Sequence, residues 1–310
     1  MRWKPLRLIP DDTKYPFMRL SRFGFFLSGI LCALSIALFI FKGLNYGIDF
    51  KGGTEIQVRG QQALQLDDLR TKLDSIGIGK VELQQLGTGN DVLIKVASQA
   101  GDPEGQISQK KILDTLGPTF EKRAANTVGG SVSSEYSQNA TGAVMLSILF
   151  VLVFLTFRFE WQFALGAVLS LLHDVTLSMG LFCLIGLEFN LSVVAAILTI
   201  IGYSLNDTVV VFDRIREYLR RYKAMGLADL IDFSINSVLP RTILTSMAMM
   251  MALLALYFFG GEVIRGFTFA MIWGVIVGTY SSIFIAAPVL IMLGTKRESS
   301  ATQSKASKGR

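Results

Sequence analysis

Apolar runs of spanning length punctuate the chain. Residues 23–41, 136–157, 242–261 and 266–295 carry no charge. Residues 161–187 are apolar apart from His173 and Asp174, and 189–212 apart from Asp207. A helix needs about 20 mostly apolar residues to cross a bilayer, so the pattern predicts six spanning helices. The first run is longer than a signal-peptide core of about 7–15 residues. It is followed by Lys42-Gly43-Leu44-Asn45 rather than by a small-residue cleavage site, so it reads as an uncleaved span.

Between the first two spans the pattern changes. About 100 residues is too long for a structureless loop. Residues 54–59 alternate like a strand, and Leu66, Leu69, Leu73 and Ile76 recur at helical spacing. Residues 81–86 and 91–97 read as strands joined by the turn Gly87-Thr88-Gly89-Asn90. Residues 106–116 read as a helix with Ile107, Ile112, Leu113 and Leu116 on one side, and 119–128 as a last strand. The order is strand-helix-strand-strand-helix-strand, a small α+β domain of the ferredoxin-like, split βαβ kind. The predicted plan is an N-terminal segment 1–22, a first span 23–41 and an α+β domain 42–135. A five-helix region 136–295 follows, interrupted by a polar segment 213–238, and then a tail 296–310.

Composition agrees with a polytopic α-helical membrane protein. Hydrophobic residues make up 51% of the 310 and charged residues 17%, against about 25% charged in an average soluble domain. That balance disfavours disorder, a disulfide scaffold and a nucleic-acid-binding domain. The two cysteines, Cys32 and Cys183, sit in apolar runs, so no disulfide framework is implied. The net charge of +6 is placed topologically. Segment 1–22 holds six Lys and Arg, 213–241 six and the tail five, whereas 42–135 holds eleven basic and twelve acidic residues. By the positive-inside rule both termini lie in the cytoplasm and the α+β domain outside.

The α+β domain contains neither His nor Cys, which removes the usual zinc ligands. Its carboxylates lack calcium-loop spacing, and its Gly-x-Gly sits in a hairpin rather than opening a helix. Three N-x-[ST] matches, at Asn139, Asn190 and Asn206, are read as chance. Chemistry points instead to the span interiors, where Asp174, Asp207 and His173 are the titratable residues. An intramembrane carboxylate costs about 2.5–3.5 kcal/mol or more and generally faces a partner or a wet cavity. Asp207 lies six residues inside the end of its span, about 9 Å deep. Arg241 follows Pro240 at the start of the fifth span, where proline suits a first helical turn. The fourth and fifth spans are antiparallel, so Arg241 and Asp207 reach the same level. An Asp–Arg pair favours the charged carboxylate and burial the neutral one. Asn206, Tyr203, Thr242 and Thr245 add polar groups to this candidate relay.

His173 and Asp174 are consecutive and point about 100° apart on a helix, so they cannot face one partner. Ser170 and Ser178 flank Asp174 in a polar stripe. Gly274, Gly278 and Ser282, and separately Gly29, Ala33 and Ala37, form small-xxx-small stripes for close packing. Ile215, Tyr218, Leu219 and Tyr222 give 214–223 the pattern of an interfacial helix. An intramembrane aspartyl protease using Asp174 and Asp207 is a competing reading, but 204–207 is Ser-Leu-Asn-Asp rather than Gly-x-Gly-Asp.

Five segments carry a resemblance: GLNYGIDFKGGT at 43–54, FRFEWQFALGAVLSLLHD at 157–174, IGYSLNDTVVVFDRIRE at 201–217, LPRTILTS at 239–246 and FGGEVIRGFTFAMIWGVIVGTYSSIFIAAP at 259–288. Together they resemble the SecD/SecF family of protein-export membrane proteins, within the resistance-nodulation-division superfamily. Length favours its SecF branch, because SecD carries a much larger periplasmic region. The resemblance implies a subunit of the inner-membrane Sec translocase, driven by the proton motive force. Its partners would be SecD, the SecYEG translocon, YajC, translocating preprotein and membrane lipids. It implies no cofactor beyond protons as coupling ion, and no catalytic reaction. Asp207 falls on the family's proton-relay aspartate and Arg241 on its arginine. Asp49, Phe50, Gly52 and Gly53 fall on its signature after the first span, where the glycines are read as a hinge or a tight turn. His173 and Asp174 match a His-Asp signature read as supportive, as are Asn206, Tyr203 and Thr245. Half of a proton-driven exporter of small molecules or lipids is the alternative.

Overall fold

A computed structural model describes residues 13–294 except 62–65, 80, 87–89, 99–101, 103–104 and 262–263. The turn at Gly87-Thr88-Gly89 and the tail 296–310 thus lie outside the described residues. The chain runs α1 (Phe17–Phe41), β1 (Asn45–Tyr46), α2 (Ile48–Lys51), β2 (Gly53–Gly60), α3 (Leu66–Asp74), β3 (Val81–Leu86), β4 (Asp91–Ala97), α4 (Gln106–Leu116) and β5 (Phe120–Val128). It continues through α5 (Gly130–Arg158), α6 (Trp161–Ile185), β6 (Glu188–Phe189), α7 (Leu191–Arg221), α8 (Leu227–Phe259) and α9 (Arg265–Ser281). A π-helical turn (Ser282–Ala286) and α10 (Ala287–Leu293) complete the last span. Among the described residues six helices are long and apolar enough to cross a membrane.

The α+β domain has the split βαβ arrangement, with strand order β3-β4-β2-β5 and every pairing antiparallel. Alternate residues of β2 and β4 (Ile56, Val58, Val92, Ile94 and Val96) are buried with Leu69 and Leu73 of α3 and Ile112 and Leu116 of α4. Ile107 is exposed. It lies five residues before Ile112, so the two point about 140° apart at 3.6 residues per turn. Ser108 takes the inward position instead.

The spanning helices form an asymmetric bundle. α6, α7 and the α9 span carry most of the buried residues, whereas α1, α5 and α8 turn most of their apolar side chains outward. α1 packs through Ser21, Gly24, Ser28 and Ser35, with Ser35 against Gly180 of α6. The predicted stripe of Gly29, Ala33 and Ala37 is not that face: Gly29 has nothing packed on it. The Gly274–Gly278–Ser282 stripe does pack, on α7.

Four boundaries differ from the apolar runs, each for a tertiary reason. α1 starts at Phe17 because α8 caps it: the Met18 amide donates to Asp232 Oδ1 at 2.8 Å, and Asn236 exchanges hydrogen bonds with the Tyr15 backbone. α5 starts at Gly130, directly after β5, so no linker separates the domain from its second span. α7 continues unbroken to Arg221, and the predicted interfacial face packs instead on the first turns of α8. Ile215 and Tyr218 are buried there, with Tyr218 stacked on Phe233 at 5.0 Å. Pro240 is interior to α8 rather than in its first turn, since α8 begins at Leu227, inside the segment 213–238.

Candidate functional site

The site follows from the close approach of α7 and α9. Gly274 sits against Ile200, Gly278 against Ser204, and one turn further Ser282 meets Asp207. A Cβ on Gly274 would lie 2.3 Å from Ile200 Cγ1, so the glycine sets the spacing at which a short serine reaches a short aspartate. Ser282 Oγ donates to Asp207 Oδ2 at 2.8 Å, and Thr242 Oγ1 of α8 donates to Oδ1 at 2.8 Å. Asp207 is 9% exposed. A buried carboxylate is thus held by hydroxyl groups from two other helices, one of them at the opening residue of the π-helical turn.

A second carboxylate lies beside it. Ser204 of α7 and Ser281 of α9 donate to Asp174 Oδ2 at 2.6 and 2.8 Å, and Ser170 donates to Ser281 at 2.9 Å. Ser178 turns away and donates to the Asp174 carbonyl. His173 and Asp174 do not point apart as helix spacing predicts. The imidazole folds back so that Nδ1 lies 2.9 Å from Asp174 Oδ1. Its Nε2 is buried without a hydrogen-bond partner.

Arg241 does not join Asp207. Among the described residues no ion pair links the two. Consecutive helix residues point about 100° apart, and on α8 the inward direction belongs to Thr242, which leaves Arg241 exposed. The shared level holds, but the contact is made by the neighbour. Thr245 bonds back to the carbonyls of Arg241 and Thr242, each at 3.0 Å, and Asn206 is exposed. Tyr203 Oη donates to Ser246 at 3.3 Å, and Ser246 lies 2.9 Å from Thr279 Oγ1. This hydroxyl string runs one turn closer to the α+β domain. Ser204 and Ser281 are site residues that the reading of the sequence missed. Their signals are position: Ser204 precedes Asp207 by one turn, and Ser281 adjoins the end of the small-residue stripe.

The signature after the first span forms a buckle at the domain end of the bundle. Asp49 Oδ2 accepts from the Leu191 amide at 2.9 Å, and Asn190 accepts from Val193 N at 3.1 Å. These two side chains satisfy free donors at the start of α7, where a negative charge is favoured by the helix dipole. β1 pairs in parallel with β6, and Phe50 stacks on Phe189 at 5.7 Å. Gly52 and Gly53 have φ of +72° and +154°, and a Cβ on Gly53 would lie 2.4 Å from the Val96 carbonyl oxygen. The pair is therefore a tight turn fixed against β4. An ion pair between Lys95 of β4 and Glu188 of β6 ties the domain to the loop between α6 and α7. Glu55 stands opposite Lys95 in the sheet. Burial holds its carboxyl above the ordinary carboxylate range, against the pull of Lys95. Among the described residues no three His, Cys, Asp or Glu side chains gather to hold a metal ion.

Residues 108–296 match the family model described as protein export membrane protein SecD/SecF, C-terminal, and residues 37–63 match the SecD/SecF GG motif. The chain is 45% identical over 294 residues to the protein translocase subunit SecDF of Brucella abortus biovar 1 (strain 9-941), covering 94% of this chain and 39% of that protein. It is 40% identical over 296 residues to the protein translocase subunit SecF of Rickettsia bellii (strain OSU 85-389), covering 94% of this chain and 98% of that one. The crystal structure of SecDF from Thermus thermophilus, a translocon-associated membrane protein, superposes with a TM-score of 0.84 at 33% identity. It covers 94% of this chain and 40% of that one.

Proposed function

Because the chain belongs to the SecD/SecF family of protein export membrane proteins, we propose that it is a subunit of a protein translocase that uses the proton motive force at Asp207 to promote preprotein translocation. In this reading it works beside a SecD-type half, next to the SecYEG channel and YajC. It lies in the inner membrane with both termini in the cytoplasm and the α+β domain in the periplasm, and it catalyses no covalent reaction. The relative from Rickettsia bellii, matched over 98% of its length, is named a translocase subunit. A fused relative, of which this chain covers 39%, supports a second half as partner.

The observation that carries the reading is the setting of Asp207. A carboxylate deep in a span, bonded by two hydroxyls and not by a cation, changes charge whenever it takes or gives up a proton. Hydroxyl groups serve both states, since each can donate to the anion or accept from the acid. A unit charge crossing the membrane field gains about 2.3 kcal/mol per 100 mV, enough to bias two packings of α7 against α8 and the π-helical turn. Arg241, Asn206 and Thr245 form an outward polar patch on otherwise apolar helices. A cation is costly against lipid, so this face is where the second half docks and where Arg241 acts.

The test is preprotein export into vesicles that contain the full complex, with and without an imposed proton gradient. Asp207→Asn is expected to abolish the gradient-dependent part while the chain still inserts and co-purifies with its partner. Export at the wild-type rate in that variant refutes the reading.

A further inference from the structure

His173 and Asp174 carry no part of the function proposed above, yet two observations set them apart from a structural pair. The His173 side chain is 5% exposed, and its Nε2 has no hydrogen-bond partner. Buried polar atoms are nearly always satisfied, so an open ring nitrogen aimed into the bundle marks a place for a proton or a water. The second observation is the shared anchor. Ser281 holds Asp174 and the next residue, Ser282, holds Asp207. The two serines straddle the junction where α9 passes into the π-helical turn, a local geometry frequent at functional sites.

We propose that His173 and Asp174 form a second proton-carrying centre, coupled to Asp207 through the adjacent serines Ser281 and Ser282. The inference rests on the reading of Asp207 as the proton-coupling carboxylate. With Asp174 ionised and His173 neutral, Nδ1 carries the ring proton and donates it to Asp174 Oδ1, which leaves Nε2 as an acceptor. One proton arriving at Nε2 gives an imidazolium paired with the carboxylate. Passing the Nδ1 proton to Oδ1 then leaves a neutral ring with its proton on Nε2 and a neutral carboxylic acid. In either form one proton has been gained and the charge of the pair has gone from −1 to 0. Each form weakens the pull on the hydroxyls of Ser204 and Ser281. A change in the Ser281 bond bears on Ser282 through one peptide unit, and Ser282 is one of the two donors on Asp207. Ser204 adds a parallel connection, because it lies one turn from Asp207 on the same helix.

Among the described residues, the titratable groups placed near the pair are Cys32 on α1, which feels the charge of Asp174, and Tyr280 on α9, whose ring lies 6.1 Å from the imidazole; Asp207 on α7 is reached through Ser281 and Ser282. α5 carries Glu135, Tyr136 and Arg158 only at its ends.

His173 is the single histidine of the chain, so labelling histidine with nitrogen-15 in this chain alone reports one residue. The experiment follows its ring signals against pH in the full-length chain reconstituted with its unlabelled partner. The expected result is a protonation step between about pH 5 and 8, where an imidazole changes charge. Its midpoint should move by about half a pH unit or more in Asp207→Asn, the size expected for a unit charge within about 15 Å at an effective dielectric constant of about 20. Ser281→Ala and Ser282→Ala change no charge and are expected to move it as well. A histidine that takes up no proton in that range, or a midpoint that stays in place in all three variants, overturns the proposal. Export by Asp207→Asn separates the two readings. Lost export with an unmoved midpoint refutes the coupling alone, whereas normal export refutes the proton role of Asp207 itself.

Discussion

Replacing Gly274 with alanine tests whether the approach of α7 to α9 builds the site. The added Cβ would meet Ile200 at 2.3, 2.5 and 2.9 Å, touching three carbons of its side chain. Ordinary carbon contacts lie at about 3.5–4.0 Å, so about 1 Å of movement is needed. Ile200 cannot supply it alone, because it is 1% exposed and a β-branched side chain in a helix is held to one rotamer. The helices must separate. Overpacking of this kind costs about 1–3 kcal/mol. A separation of about 1 Å would also stretch the 2.8 Å bond between Ser282 and Asp207 past hydrogen-bond range. Gly274→Ala is therefore expected to lower stability by about 1–3 kcal/mol and to depress gradient-dependent export. Stability is read by titrating the full-length chain, with its partner, from a mild into a denaturing detergent. The control is Ile200→Ala, which alone should cost about 2–5 kcal/mol through the cavity it leaves. The double variant fills that cavity with the new methyl group, so its cost should fall below the sum by about 0.5–3 kcal/mol. A neutral Gly274→Ala, or strict additivity in the double variant, refutes the reasoning.

Other predictions concern the junction between domain and bundle. Gly53→Ala combines a φ of +154° with a Cβ 2.4 Å from the Val96 carbonyl oxygen; hydrogen exchange should quicken along β4, and unchanged protection there would count against the turn. Removing either partner of the Lys95–Glu188 ion pair, as Lys95→Met or Glu188→Leu, should loosen the domain by about 1–3 kcal/mol. The double change should restore part of that loss, because neither Lys95 nor Glu188 is left facing an empty partner position, and a cysteine crosslink between β4 and β6 reads the difference. Glu55 gives a pH dependence. Its carboxyl is held above the ordinary range chiefly by burial, so its contribution to stability is fully present below its unfolded-state pKa and is lost as pH rises through the folded value. Glu55→Gln should flatten that fall, measured as exchange protection of β2 from mildly acidic to neutral pH; an identical profile would refute the assignment.

What the sequence made legible was governed by local repetition. Strands at 81–86 and 91–97 and the helix at 106–116 are readable because their own side chains alternate or recur, and the structure has β3, β4 and α4 over those residues. β1 and β6 are two residues long and exist only by pairing with each other across the chain, and α2 is a single four-residue turn, so no local period announces any of the three. The extension of α7 was misread because an amphipathic face is the same whether lipid or the start of α8 covers it. Asp207 was readable from its depth, but its donors were not. Whether Arg241 or Thr242 turns inward depends on the rotation of α8, and a rotation of about 100° exchanges them. Ser282 reads as a packing residue because a serine fits a small-residue stripe and a carboxylate equally well, and Ser281, beside it, falls in no pattern at all.

The Asp49 cap on α7 has a mechanical consequence. Asp207 lies sixteen residues along α7 from Leu191, about 24 Å at about 1.5 Å per residue. A tilt of about 5° about the carboxylate would therefore carry the far end of the helix about 2 Å sideways, within the range of helix shifts in switching proteins. That end is not free to move alone, because the Leu191 amide is bonded to Asp49. Asp49 precedes by three residues the rigid turn at Gly52 and Gly53, and β2, an interior strand of the sheet, starts at Gly53. α7 is thus built as a lever with its load hooked to one end, and a sub-ångström change at the buried acid would be delivered, magnified, to the middle of the α+β domain.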